Sequence, residues 1–471
     1  MKHTGTLNLL AFILSQFLSL PACSMVTRDV AWEKADSIVE NITVPVFPEK
    51  YYPITDFGAV PERNTLNTEA INKAIRTCSD NGGGTVLIPP GTFFSGPIQL
   101  RSNVNLHLEE GAVIKFSTNP TDYLPVVLTR WEGVDCYNYS PLIYALKEKN
   151  IAITGKGVLD GQANDKNWWI WKGRKEFGWE EGANSQLDDS GRSRLMQFEE
   201  KNIPTEQRIM GEGGYLRPPF IQFYNCNTIL VENIFVKNAP FWIIHPLLSD
   251  NIIIRGITIT SHGPNNDGCN PESCRNVLIE KCFFDTGDDC IAIKSGRNND
   301  GRKWNIPSEN IVIRGCKMQN GHGGVAIGSE ISGGCRSVFI ENCEMNSPDL
   351  ERALRIKTNS YRGGTIEDIY ARYLTIGEVK EAVIKFNCMY EIKDNESGNH
   401  IPVIRNIILE NIFSENSKYA LYIQGIKNEN TIQNILIVNS SFDGVSNGNF
   451  LKEVTGLKLE NVRINGVPTK F

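Results

Sequence analysis

The 471-residue chain has no Cys-x-x-Cys pair, although it carries 12 cysteines. Zinc ribbons and dithiol redox centres are built on that spacing, so neither is expected. There is no surplus of basic charge: 48 Lys and Arg face 54 Asp and Glu, a net charge of −6. General nucleic-acid binding needs a cationic face and is disfavoured. An acidic substrate would have to be met by a local cationic patch working against the field of the whole chain. Long apolar runs are missing beyond the N-terminus, and the run there is too short and interrupted for a transmembrane helix. Hydrophobic residues still make up 41% of the chain, enough for a large core, so disorder is excluded.

Residues 1–23, MKHTGTLNLLAFILSQFLSLPAC, have a short basic start, an apolar stretch and small residues before Cys23. This is the layout of a secretory signal, and it predicts an exported protein. Leu20-Pro21-Ala22-Cys23 resembles a bacterial lipobox, which would make Cys23 a lipidated N-terminus on a periplasmic or cell-surface protein. Ordinary signal cleavage nearby is the alternative. Residues 23–50 are polar and then Pro-containing, and are expected to form a tether. Removing residues 1–22, which hold Lys2 and no acid, takes the net charge to −7.

From about residue 220 one phrase recurs: NTILVENIFV, NIIIRGITI, NVLIEKCFF, NIVIRGCKM, SVFIENCEM, RNIILENIFS. Each reads Asn or a small polar residue, alternating apolar positions, a two-residue polar break, then two more apolar positions. The alternation has the period of a strand, and each half is too short for a helix. Repeats start near 251, 276, 310, 337, 366, 404 and 432. Such spacings suit the turns of a right-handed parallel β-helix, an all-β solenoid, with loops of varied length. They exceed a leucine-rich repeat and lack its helical half. Cys282, Cys316 and Cys343 fall in the slot that Ile257 fills, so they read as stacked core residues. Cys269 and Cys274 sit in a loop, where pairing is open. The repeated Asn predicts an amide ladder at one corner.

One helix, near 67–80 and followed by a Gly stop, is expected to cap the solenoid's open N-terminal end. The domain then runs from 51 to 471 as a single β-helix. Between about 123 and 220 the pattern breaks into an aromatic and charged stretch, KNWWIWKGRKEFGWEEG, expected to be a long functional excursion.

Aligned coils locate the chemistry. Six residues separate Cys282 from Asp288, and six separate Cys316 from His322. Asp288 and His322 are therefore neighbours on successive turns, about 4.8 Å apart at the backbone. Ile291, Ile293, Val325 and Ile327 face inward, so Asp288 and His322 face outward. Asp289 would turn inward by strict alternation, unless a bend at Gly287 swings it out. In ALRIKT, Leu354 and Ile356 are inward, which sends Arg355 and Lys357 outward. One coil earlier GPNNDGCNP brings Asp267 to the same edge. Each element alone has an ordinary reading as a solvated surface residue or a turn; four on one face do not. Clustered acids raise the pKa of at least one member into a proton donor's range, as glycoside hydrolysis requires. A Ca²⁺ site is the competing reading, but Ca²⁺ has little use for an imidazole or adjacent cations.

Asn265-Asn266-Asp267, Gly287-Asp288-Asp289, Gly321-His322-Gly323 and Arg355-Ile356-Lys357, in this order, resemble the four signature motifs of the polygalacturonase family, glycoside hydrolase family 28. With the TDFGA start and the repeats, the resemblance covers nearly the whole mature chain. Its first motif usually reads Asn-Thr-Asp, so Asn266 is a departure. The resemblance implies an inverting hydrolase of α-1,4-galacturonosyl linkages in pectin, without cofactor or metal. Asp288 would be the general acid, with Asp267 and Asp289 holding water and His322 tuning the proton. Arg355 and Lys357 would grip a galacturonate carboxylate, with Asn265 and Tyr390 as further substrate contacts; Tyr390 can equally be read as a packed aromatic. The stretch around residues 264–296 resembles the bacterial exo-acting branch, and the excursion would wall one end of the groove. Rhamnogalacturonan is an alternative substrate, and a Ca²⁺-dependent pectate lyase or a non-catalytic glycan-binding β-helix are the rival functions. The partner expected is an acidic polysaccharide, with no nucleic acid, a membrane only through Cys23, and a monomeric chain.

Overall fold

The computed structural model describes residues 21–62, 65–392 and 398–470, with side chains from residue 29. Residues 1–20 of the expected signal and the Cys23 side chain lie outside the described residues. Among the described residues no helix is long and apolar enough to cross a membrane.

Parallel strands stack coil upon coil along the chain, which is a parallel β-helix. Apolar residues of successive turns lie in register: Ile229, Ile252, Val277, Ile311, Val338, Ile369, Ile407 and Ile435 form one column, all buried. The crossovers joining such strands take the right-handed sense. Ile257, Cys282, Cys316 and Cys343 are buried in one core, and the cysteines are free thiols. Cys269 and Cys274 are also buried and unpaired.

The Asn repeat has a backbone cause. Asn251, Asn276, Asn310, Asn406 and Asn434 all have φ between 51° and 57°, the left-handed region that Asn tolerates better than most residues. The amide ladder is partial: Asn310 donates to Asn276 Oδ1 at 3.1 Å, and Asn276 donates to Asp250 instead.

The first helix, α1, spans Pro21–Asn41, and the second, α2, spans Thr68–Asp80. Ile71, Ala74, Ile75 and Cys78 of α2 enter the main core and cap its end. The tether expectation fails. Ala31, Trp32, Ala35, Ile38 and Ile42 pack on a second, outward apolar column: Ala152, Leu230, Ile253, Leu278, Val312 and Phe339. Those repeats read as unbroken apolar runs because both faces of the strands are covered. Arg372 also lies over the Trp32 ring, at 3.8 Å.

The excursion is two insertions rather than one. Ile143–Leu146, Lys149–Gly155 and Val158–Asp160 form a regular coil in register with Ile221–Tyr224, Asn227–Glu232 and Phe235–Lys237. KNIAITGKGVLDG carries the repeat phrase, hidden in sequence by the unrelated segments around it. The first insertion is an antiparallel hairpin, Val127–Trp131 with Val134–Asn138; the second runs from 161 to 220. Together they cover the outer face of the strands Ile221–Tyr224 and Ile244–Leu247, where Gln222, Tyr224, His245 and Leu247 are buried. Arg130 of the hairpin pairs there with Asp135 at 2.7 Å and with Glu272 at 3.2 Å.

Candidate active site

The site occupies the open continuation of that face. Strands Ile291–Ile293, Val325–Gly328 and Arg352–Lys357 pair in parallel, with Ala292, Ala326 and Arg355 in one outward column. The 34-residue offset that pairs Phe283 with Lys317 and Ile291 with Val325 also carries Asp288 onto His322. Their side chains meet, with His322 Nδ1 3.1 Å from Asp288 Oδ1.

Gly287 bends the chain between the strands Phe283–Thr286 and Ile291–Ile293, as both acids require. A Cβ at Gly287 would lie 2.4 Å from the Gly263 carbonyl oxygen, so only glycine lets the two turns meet. Asp288 then lies at the surface, 14% exposed, and its Oδ1 accepts from the Asp289 amide at 2.9 Å. Asp289 is fully buried, but within the site rather than among apolar side chains. Its two oxygens accept from Lys357 Nζ at 2.6 Å and Arg355 Nη1 at 3.2 Å. Gly323 leaves room for the carboxylate itself: a Cβ there would lie 2.8 Å from Asp289 Oδ1 and push it from its cations.

Asp267 completes the cluster. Asn270 Nδ2 donates to it at 2.8 Å, and Lys294 Nζ lies 3.5 Å away. One carboxylate oxygen from each of Asp267, Asp288 and Asp289 lies within 4.8 Å of the others. Three charges so close cannot all be held, and the environment sorts them. Burial, then the charge of Asp288, pushes Asp267 up to about 7. Burial would also raise Asp288, but the His322 imidazolium, Lys357 and Arg355 outweigh it and hold that carboxyl well below the usual range. Lys357 and Arg355 do the same for Asp289 against its burial. Asp288 in turn raises His322 to about 9.

Tyr390 belongs to the site, with its ring 5.5 Å from both Lys357 Nζ and the Arg355 guanidinium. Asn265 presents its Oδ1 to Lys172 Nζ at 2.7 Å and Arg217 Nη2 at 2.9 Å. Asn266, the departure from the usual motif, points into its own turn. It accepts from Ser261 Oγ and the Gly263 amide and never reaches the groove. Lys294 was missed in sequence, yet strand alternation after inward Ile293 places it in the column of Lys357. Its ammonium bridges Asp267 and Glu330, over the Trp242 ring at 4.3 Å. Lys172 and Arg217 come from the second insertion, which has no period to read.

Three carboxylates at this spacing could also surround a cation. Here Lys294, Lys357, Arg355 and His322 already answer their charge, so a divalent ion would enter against fixed cations at short range. Cleaving a glycosidic bond needs a proton for the leaving oxygen and a carboxylate to hold water, and this face supplies both. The molecule is a glycoside hydrolase. Residues 205–457, which hold the whole acid cluster, match glycosyl hydrolases family 28, and the chain belongs to that family. Residues 51–120 match the family described as rhamnogalacturonase A/epimerase, pectate lyase-like. The chain is 31% identical over 390 residues to a "Probable polygalacturonase" of Vitis vinifera, covering 80% of this chain and 71% of that one. It is 28% identical to an exo-poly-alpha-D-galacturonosidase of Dickeya chrysanthemi, over 74% of this chain and 59% of that one. Among solved structures, a hyperthermoactive exopolygalacturonase from Thermotoga maritima superposes with a TM-score of 0.89 at 45% identity, covering 94% and 97% of the two chains.

Proposed function

We propose that the protein is an exo-acting hydrolase of the α-1,4-galacturonosyl linkages of polygalacturonate. The observation that carries this is a groove that holds the acid cluster beside Arg355, Lys357 and Tyr390 and is covered by the insertions at one end. The exo-acting relatives support the same reading. The match to the rhamnogalacturonase-type family spans only the cap and first coils, which carry none of the acids, and so does not argue for that substrate. Sizing products over time on homogalacturonan and on rhamnogalacturonan tests the proposal. Monomer from the outset on homogalacturonan is expected; a spread of oligomers means endo action.

Asp288, the most accessible of the three acids, is assigned as proton donor to the leaving oxygen. In the free site the shared proton favours Asp267 over Asp288, because burial raises the first and cations hold the second down. A substrate carboxylate bound at Arg355 and Lys357 would relieve their part of that hold, leaving the larger part from His322, and so shift the proton towards Asp288. Asp267 and Asp289 are then left to hold and activate water, giving inversion. Inverting pairs usually stand about 6.5–9.5 Å apart to lodge water between them. The three acids here are closer than that, so inversion requires the water held by Asp267 and Asp289 to lie on the face of the sugar opposite the leaving oxygen. Asp289, tied to two cations, is a poor nucleophile for the retaining alternative. His322 tunes the donor. An exported, monomeric protein anchored through a lipidated Cys23 completes the proposal, with α1 docking the chain against the solenoid soon after the anchor.

A further inference from the structure

Lys172 and Arg217 converge on Asn265 with no carboxylate in direct contact, although both feel the charge of Glu132 and Lys172 also feels that of Asp288. Among the described residues neither forms an ion pair. Arg217 is fully buried and spreads its charge over neutral acceptors: the carbonyls of Pro240 and Pro264, Gln186 Oε1 and Asn265 Oδ1. Its Nε has no partner. Lys172 has three donor hydrogens and, among the described residues, a single side-chain acceptor, Asn265. Burial, then the charge of Arg217, lowers its ammonium to about 8. Two such cations side by side are costly unless an anion joins them.

The lysine is also held in place. It ends the turn Trp168–Lys172, which Trp168 anchors by burial and Trp169 by donating to the Ala239 carbonyl at 2.9 Å. Asn265 lies in the same turn as Asp267, one coil before Asp288 and Asp289, whereas Arg355 and Lys357 lie two coils beyond them. Cations thus stand on both sides of the acid cluster along the groove, and Lys172 stands at the end that the insertions close. Cleavage between two consecutive uronates presents one carboxylate on each side of the bond.

Resting on the exo-galacturonan reading above, we propose that Lys172, oriented by Asn265 and backed by Arg217, binds the carboxylate of the galacturonosyl unit that is released. Arg355 and Lys357 serve the unit across the bond. Lys172 is then a specificity residue, and the sequence WWIWK is the scaffold that delivers it.

The test compares a galacturonic acid oligomer with the same oligomer methyl-esterified only on the unit to be released. The unaltered enzyme should favour the free acid by about 10²-fold in kcat/KM, the scale of a charge-assisted contact in a closed site. Lys172→Met should lose most of the activity on the acid and treat both oligomers alike, within about threefold. Lys172→Arg should keep at least about a tenfold preference for the acid, because the charge remains. An unchanged acid-to-ester ratio in Lys172→Met overturns the anchor while leaving the hydrolase reading intact. Failure of the unaltered enzyme to cleave the free oligomer overturns the substrate reading itself.

Discussion

Replacing Asp288 by Asn tests the acid–base assignment with little disturbance to the fold. The amide oxygen can still accept from the Asp289 backbone at the position of Oδ1, so the bend at Gly287 is retained. What is lost is the ion pair with His322, whose ring is 48% exposed; screening by solvent puts its stabilising worth under about 1 kcal/mol. What the reaction loses is larger. General acid catalysis contributes about 10²–10⁴-fold, or roughly 3–5 kcal/mol of barrier. Turnover on oligogalacturonate should therefore fall at least about 10²-fold, with KM little changed and the thermal midpoint within a few degrees. Two titrations should move with it. His322, held up to about 9 chiefly by Asp288, should drop towards the ordinary imidazole value. Asp267, raised to about 7 by burial and then by Asp288, should fall. His322 can be followed by NMR in the same variant. Near-normal turnover alongside the shifted His322 titration would show that the substitution took effect and that Asp288 is not the proton donor.

The remaining expectations follow from the same site. Because Asp267 carries the shared proton only below about 7, kcat/KM should decline as pH rises through that value; a decline beginning only near 9 would assign the proton to His322 instead. The sign for stability differs between the two groups. The His322 pair stabilises the fold below the ordinary imidazole value and loses that contribution as pH rises through about 9, whereas raised Asp267 costs stability as pH rises towards 7. Chelation by EDTA should leave activity unchanged and release no unsaturated, ultraviolet-absorbing product; Ca²⁺-dependent formation of such products would mean a lyase. NMR of the first-formed product should show the β-anomer, and the α-anomer would replace water activation with a covalent intermediate. Trp32→Ala should destabilise the fold by about 3 kcal/mol through loss of its packing on Phe339, with kcat unaffected, as read by denaturant unfolding and assay.

The amino-acid sequence alone determined the solenoid and the order of its chemistry. Parallel strands in register turn a sequence offset into a spatial neighbour about 4.8 Å away, so counting from Cys282 to Asp288 and from Cys316 to His322 was enough to bring acid and imidazole together. Alternation likewise sorted Leu354 and Ile356 from Arg355 and Lys357. Wherever the chain leaves that period, the counting stops. Asp289 follows a bend, so its burial against Lys357 and Arg355, and the division of charge that favours Asp267 for the proton, depend on contacts across four coils. Residues 23–50 looked like a tether because the helix there has little amphipathic period to read, while its stability comes from an apolar column contributed by six distant strands. Lys172 and Arg217 lie in an insertion without a repeat, and only tertiary packing brings them to Asn265, two residues from Asp267.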